Sequence, residues 1–122
     1  MITFSQDKPI YLQMADRLSD DILAGKYGDD ERIPSVREYA AEMQVNTNTA
    51  VKAFDELSRQ NIIYNRRGMG FYVTAGARSR IQEQRRKEFR EQTLTRIFRE
   101  MDLLGIGIED VVEAYKNERM KK

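Results

Sequence analysis

The chain has 122 residues, with 21 basic and 20 acidic side chains and neither Cys nor His. This length fits one domain, or one small domain with an appendage. The missing Cys and His exclude disulfides, thiolate nucleophiles, Cys/His zinc sites and imidazole acid–base chemistry. An enzyme that uses only carboxylates, or Ser and Lys, stays open, but no paired carboxylates lie in an apolar setting and no glycine-rich phosphate loop follows a strand. We therefore expect no enzyme, no metal and no cofactor.

The hydropathy pattern bears on the compartment. No apolar run approaches the ~20 residues that a membrane span needs. The first residues lack the basic segment and apolar stretch of a secretory signal. We expect a cytoplasmic protein with no membrane partner.

The charge is unevenly divided along the chain. Residues 1–76 hold 9 basic and 11 acidic side chains, whereas residues 77–122 hold 12 basic and 9 acidic ones. Phosphate binding needs basic residues on one face and does not need a high total. The charge is therefore compatible with nucleic-acid binding and is weak evidence for it.

A first helix is predicted from about residue 10 to residue 24. Pro9 suits the start of a helix, and Gly25 and Gly28 mark its end. Apolar side chains recur at helical spacing along it, at Ile10, Met14, Leu18, Ile22 and Leu23.

A second helix follows a polar loop. Ser35 is its predicted N-cap, and Glu38 lies three residues on, which is the spacing of a capping box. Its predicted buried stripe is Val36, Tyr39, Ala40 and Met43. A turn is predicted at Gln44 and Val45.

The third helix is predicted to begin at Asn46 or Thr47 and to run to about Arg59. Its inner stripe is Ala50, Ala53, Phe54 and Leu57. Beyond it, two β-rich runs at 62–64 and 71–73 bracket residues 65–70, which indicates a hairpin with glycines in its loop. The predicted fold is mainly α with a small β-hairpin, a winged helix-turn-helix over residues 1–76.

The rest of the chain, residues 77–122, is predicted to form two helices used for dimerisation. A stretch without Gly or Pro at 78–104 starts polar and then becomes amphipathic, and Gly105 and Gly107 separate it from a last short helix. A segment this short cannot form a core alone. It must therefore pack on the N-terminal domain or on a second copy of the chain. We favour a second copy, which gives a two-fold homodimer, with contacts from Leu94, Ile97, Phe98, Met101, Leu104, Ile108, Val112 and Tyr115.

The pair of helices at 35–59 suggests a contact with the major groove. A recognition helix presents its N-terminal residues to the base edges, and here these are Asn46, Thr47, Asn48 and Thr49. Such side chains can pair with base edges or phosphate, although the same cluster is also typical of a simple helix cap. Arg37 and Lys52 are further candidates for phosphate or base contacts, or are solvated surface residues.

The hairpin loop is basic and glycine-rich. Arg66, Arg67 and Gly68 could enter a narrow minor groove, where the negative potential is deepest. The alternative is an edge hairpin that charge keeps soluble. The basic run at 78–91 is interpreted as a solvated linking helix, with a secondary phosphate contact left open.

These residues closely resemble the GntR family of bacterial transcription regulators from about Pro9 to Val73. The matching segments, in order, are 9–13, Gly25, 33–38, 45–49, 53–57 and 67–73. The resemblance implies that Arg37, the start of the third helix and the wing tip at Arg67 and Gly68 contact DNA.

The chain departs from the family pattern at two positions of the third helix. Many members carry basic residues where Thr47 and Val51 stand here, so base preference cannot be transferred from them. An Asp29-Asp30 pair replaces the usual Pro-Gly of the preceding loop. The tail after Gly76 is too short for the large effector-binding domains of most members, and it is similar to the YtrA-like branch, whose two C-terminal helices dimerise.

We interpret the chain as a dimeric, sequence-specific regulator that binds a pseudo-palindromic operator in duplex DNA and represses its own operon. The alternative is a protein-interaction module that uses the winged helix as a scaffold, because a fold does not fix a function. No residue identifies a small-molecule effector.

Overall fold

The structure is a computed structural model that describes Phe4 and residues 7–121. The outermost residues of the two predicted domains, 1–3, 5, 6 and 122, lie outside the described residues. The chain forms two compact units, of which the first ends at Glu83 and the second begins at Gln84.

Three helices form the body of the first unit: α1 is Ile10–Leu23, α2 is Val36–Met43 and α3 is Thr47–Arg59. Both α1 and α2 pack on α3. The apolar stripe predicted for α3 is buried in full, whereas in α2 Val36 is only half-buried. Small alanines on the inner face of α3 allow this close packing, and the core of the helices consists of Met14, Ala15, Leu18, Ile22, Tyr39, Ala40, Met43, Ala50, Ala53, Phe54 and Leu57.

The predicted boundaries of α2 and α3 are confirmed by their caps. The Ser35 hydroxyl accepts a hydrogen bond from the Glu38 amide, and the Glu38 carboxylate accepts one from the Ser35 amide. The two bonds form a complete capping box. Gln44 ends α2 in the left-handed conformation, and Asn46 is the N-cap of α3. This tight turn fixes the angle between the two helices.

The wing is a two-stranded antiparallel hairpin, with β1 at Ile63–Arg66 and β2 at Gly70–Val73. The strands are longer than predicted at the loop end, because Arg66 pairs with Gly70 and the Met69 amide donates to the Arg66 carbonyl (2.8 Å). Residues 67–69 alone form the tip.

The helix α4, Ala77–Glu88, follows the wing. Ala77 and Ile81 are buried in the same core as α1 to α3. The first unit therefore continues beyond Gly76, where the sequence pattern predicted the boundary, because the first turns of α4 supply apolar side chains to it.

The second unit contains a π-helical segment, Phe89–Thr93, then α5, Leu94–Leu104, and α6, Ile108–Met120. The sequence predicted one uninterrupted helix across this π-helical segment. The Thr95 hydroxyl donates to the Glu91 carbonyl (3.1 Å) and so competes for an acceptor of the regular α-helical ladder. None of the described side chains from residue 84 onward is buried.

No helix in the described ranges combines the length and apolar character that a membrane span requires.

Candidate nucleic-acid interface

The N-terminus of α3 presents a polar, exposed surface. Asn46 caps the helix, since its Oδ1 accepts a hydrogen bond from the Asn48 amide (2.7 Å). Asn46 thus takes the capping role that the sequence left open, although it stays exposed. Thr47 and Asn48 are exposed in the first turn, and Thr49 is half-buried. The helix therefore offers short hydrogen-bonding side chains where a recognition helix meets base edges.

Lys52 extends this surface by one helical turn. It lies four residues after Asn48, so the two side chains share a face of α3, and both are exposed. This face lies away from the buried stripe of α3 that packs on α1 and α2. A lysine there can meet a phosphate at the rim of a groove.

Arg37 is exposed in the first turn of α2, next to the capping box. The backbone hydrogen bond from Ser35 holds the pKa of the Glu38 carboxyl below its usual range, and the charge of Arg32 makes a smaller contribution in the same direction. Glu38 is thereby kept ionised within the cap.

The wing tip carries one of its two predicted arginines outward. Arg67 and Gly68 are exposed at the tip, and Gly68 has a φ of +77°. A positive φ of this kind favours glycine. The tip is thin and basic, as a minor-groove contact requires.

Arg66 occupies a different environment from Arg67. Its guanidinium lies over the Tyr72 ring, 4.3 Å from the centroid, and Nη2 donates to the Tyr64 hydroxyl (3.2 Å). The Tyr64 hydroxyl in turn donates to Asp30 Oδ1 (2.8 Å), and this hydrogen bond raises the pKa of Tyr64. Arg66 therefore braces the wing through stacking and hydrogen bonding.

Arg32 lies beside the wing, at a position that the sequence pattern did not indicate as functional. Arg32 Nε donates to the Met69 carbonyl at 3.1 Å, although the two residues are 37 positions apart. The only local signal was a basic residue directly before Ile33 and Pro34, and nothing in that pattern indicates a partner in the hairpin.

The residues predicted for dimerisation are incompletely covered in a single chain. Leu94, Ile97 and Met101 are half-buried, and the exposed members are Phe98, Leu104, Ile108, Val112 and Tyr115. Leu103 and Ile106, which the sequence analysis did not name, are also exposed.

Among the described residues, no group of three or more His, Cys, Asp or Glu side chains could hold a metal ion.

Three packed helices and a basic hairpin, with a polar and exposed N-terminus of α3 after a tight turn, define the winged helix-turn-helix class of DNA-binding domains. The sequence model of the bacterial regulatory proteins of the GntR family matches residues 10–73. The chain belongs to this family, as the sequence resemblance predicted.

Two curated relatives from Bacillus subtilis match nearly the whole chain. The HTH-type transcriptional regulator YhcF is 31% identical over 93% of this chain and 92% of its own length. The HTH-type transcriptional repressor YtrA is 32% identical over 88% of this chain and 82% of its own length. The likeness therefore includes much of the C-terminal region.

Solved structures show the same architecture. A GntR-family transcriptional regulator from Bacteroides thetaiotaomicron is 42% identical, with a TM-score of 0.78 over 92% of this chain and 97% of that one. The DNA-binding domain of AraR in complex with its operator ORX1 is 28% identical, with a TM-score of 0.56 over 61% of this chain and 95% of that one. The chain is a GntR-family transcriptional regulator with a DNA-binding domain.

Proposed function

We propose that this regulator is a homodimeric repressor that binds a pseudo-palindromic operator in the bacterial cytoplasm. One observation carries the proposal: Thr47 and Asn48 are exposed at the start of α3, on the same domain as the exposed Arg37 and Arg67. These groups suit simultaneous contacts with base edges and phosphates.

The groups divide by the chemistry that each would perform. Asn48 can exchange two hydrogen bonds with an adenine edge, and the methyl group of Thr47 can contact a thymine methyl. Arg37 and Lys52 neutralise phosphates and set the register of the protein on the duplex. Arg67, on the thin tip, enters the minor groove.

Dimerisation is supported by the apolar side chains of α5 and α6. Several large apolar side chains of these helices are exposed, and exposed apolar patches mark interaction sites. A second copy of the chain would cover these apolar side chains with its own by two-fold symmetry. Such symmetry would place two recognition helices on the two halves of a palindrome. Repression is supported by the similarity to YtrA, which is named a repressor.

The experiment that tests DNA recognition is selection of binding sequences from random duplex DNA at two salt concentrations. We expect an enriched pseudo-palindrome whose affinity falls steeply with salt, because phosphate contacts release counterions. Asn48→Ala should lose preference at particular base pairs, whereas Lys52→Ala should weaken all sequences about equally. A folded protein that enriches no sequence would favour the alternative of a protein-interaction module.

A separate experiment tests the dimer. Ile97→Asp places a charge on the half-buried stripe of α5, and sedimentation should then show a monomer because burying an unpaired carboxylate is costly. Asn117→Asp adds the same side chain at an exposed position of α6 and should leave the dimer intact. An Ile97→Asp variant that still sediments as a dimer would show that the interface does not lie on this stripe of α5.

A further inference from the structure

The segment between α1 and α2 runs beside the wing. Arg32 forms an isolated antiparallel bridge with Tyr72, in the middle of β2. Three backbone hydrogen bonds support this bridge, from the Asp30 amide to the Val73 carbonyl (2.8 Å), from the Val73 amide to the Glu31 carbonyl (2.9 Å) and from the Ile33 amide to the Phe71 carbonyl (3.0 Å). We call residues 30–33 the wing seam. It leads directly into Pro34 and the capped start of α2, so it connects the wing to α2.

The side chain of Arg32 continues this connection toward the wing tip. The backbone bonds of the seam extend as far as the Phe71 carbonyl, and nearer the tip Arg32 Nε donates to the Met69 carbonyl (3.1 Å). Gly70 makes room for this contact. A Cβ at Gly70 would lie 3.1 Å from Arg32 Nε, and the φ of +106° at Gly70 disfavours any other residue.

The tip has few other restraints among the described contacts. The Met69 amide closes the turn onto the Arg66 carbonyl (2.8 Å), but the Met69 side chain is 57% exposed and, apart from the two chain neighbours, no described atom lies within 4 Å of a Cβ built on Gly68. Loops with few buried contacts open locally at little cost. A directional hydrogen bond to the Met69 carbonyl therefore matters more here than in a packed region.

We propose that Arg32 is a positioning residue that holds the wing tip in a fixed place relative to α2. The proposal rests on the proposed DNA contact of the wing. Arg32 sets the spacing between Arg37, at the start of α2, and Arg67, at the tip, so that Arg37 meets a phosphate while Arg67 enters the minor groove. Holding the tip before binding removes an ordering cost from association.

The chemistry of arginine distinguishes positioning from simple charge. The Nε–H of a guanidinium lies in a rigid plane and donates in one direction, whereas a lysine ammonium is a mobile point charge. Arg32→Lys therefore keeps the positive charge and removes the Nε donor. If Arg32 only neutralised a phosphate, lysine would replace it with little loss.

The test uses the full-length chain and the duplex enriched by selection, with four variants: Arg32→Lys, Arg67→Ala, the double variant, and Arg80→Lys as control. Arg80 Nη1 donates to the Asn61 carbonyl (2.6 Å), so the control changes another arginine that binds a backbone carbonyl, away from the wing tip. We expect Arg32→Lys and Arg67→Ala each to weaken binding about tenfold. The double variant should be little weaker than either single variant, because both act through one contact. Arg80→Lys should bind as the unchanged protein does.

A measurement without DNA keeps the proposal independent of affinity and of folding. In Arg32→Lys, hydrogen exchange at the Met69 amide should accelerate, while exchange at core amides of α3 and the thermal midpoint stay unchanged. Unchanged exchange at Met69 would overturn the proposal, as would effects of the two substitutions that multiply in the double variant.

The two proposals fail in different ways. If Arg67→Ala leaves the affinity unchanged, the proposed minor-groove contact of the wing is wrong, whatever Arg32→Lys does. If Arg67→Ala weakens binding and Arg32→Lys does not, the wing contacts DNA and Arg32 does not position it.

Discussion

Replacement of Phe54 by leucine should weaken the packing that joins the two helices of the motif to the wing. The Phe54 ring is 1% exposed and lies 6.0 Å from the Tyr39 ring of α2 and 5.0 Å, edge to face, from the Phe71 ring of β2. Aromatic pairs of this kind contribute about 0.5–1.5 kcal/mol each beyond area burial. Phe54→Leu loses both pairs, so we expect a loss of about 1–3 kcal/mol in the free energy of unfolding.

Urea denaturation followed by circular dichroism measures this loss, at one fixed chain concentration because the proposed dimerisation would link stability to concentration. Phe89→Leu is the matched control, since the Phe89 ring is half exposed, and it should change stability by no more than about 0.5 kcal/mol. If Phe54→Leu cost as little as this control, the ring contacts that join α2, α3 and the wing would not be sources of stability.

Further predictions concern the cap of α2, the core and the wing. Ser35→Ala should cost about 0.5–2 kcal/mol by urea denaturation, and no loss would mean that the cap is not formed in solution. Because the pKa of Glu38 is lowered in the folded protein, the contribution of Glu38 to the free energy of unfolding is present at neutral pH and is lost as the pH falls through that lowered pKa. Glu38→Gln should remove this pH dependence of stability, and an unchanged dependence in acid would contradict the cap. Tyr39→Phe removes a buried hydrogen bond to the Met14 carbonyl (3.1 Å) and should cost about 0.5–1.5 kcal/mol; a neutral effect would show that this bond adds nothing net. Burial raises the pKa of Tyr39, so the wild type should lose stability as the pH rises above the ordinary tyrosine range, and Tyr39→Phe should lose less; equal losses would assign the alkaline effect to other groups. Gly68→Val places a branched side chain at a φ of +77° and should weaken DNA binding more than global stability; equal affinity would show that the tip does not need its conformation.

The local patterns predicted the helices of the first unit well. Periodicity identified the buried stripe of α3, and the Ser35–Glu38 spacing identified a capping box that the structure shows complete. These features depend on residues within one or two turns of each other, so a linear reading contains the necessary information.

The sequence pattern did not predict the contacts between residues far apart in the chain. The bond from Arg32 to Met69 joins a loop to a hairpin, and the stacking of Arg66 on Tyr72 depends on strand pairing. Arg66 and Arg67 were predicted together at the tip because the sequence pattern does not show where the strands end. Arg66 is the last residue of β1 and lies over the Tyr72 ring, whereas Arg67 lies in the tip.

The unit boundary shows the same limit. The composition changes after Gly76, yet Ala77 and Ile81 are buried in the first core. A polar helix with two apolar residues looks like a linker in a linear reading, and only its packing shows that its first turns belong to the domain. The π-helical segment likewise has no period long enough to be recognised in a sequence.

The most direct test of the proposed dimeric regulator is the affinity of the full chain for the selected operator, compared with the same duplex in which one half-site is scrambled. Two linked recognition helices should make the intact operator bind at least about a hundredfold tighter, and Ile97→Asp should remove that advantage. Equal affinity of the unchanged protein for both duplexes would contradict a dimer that reads two half-sites.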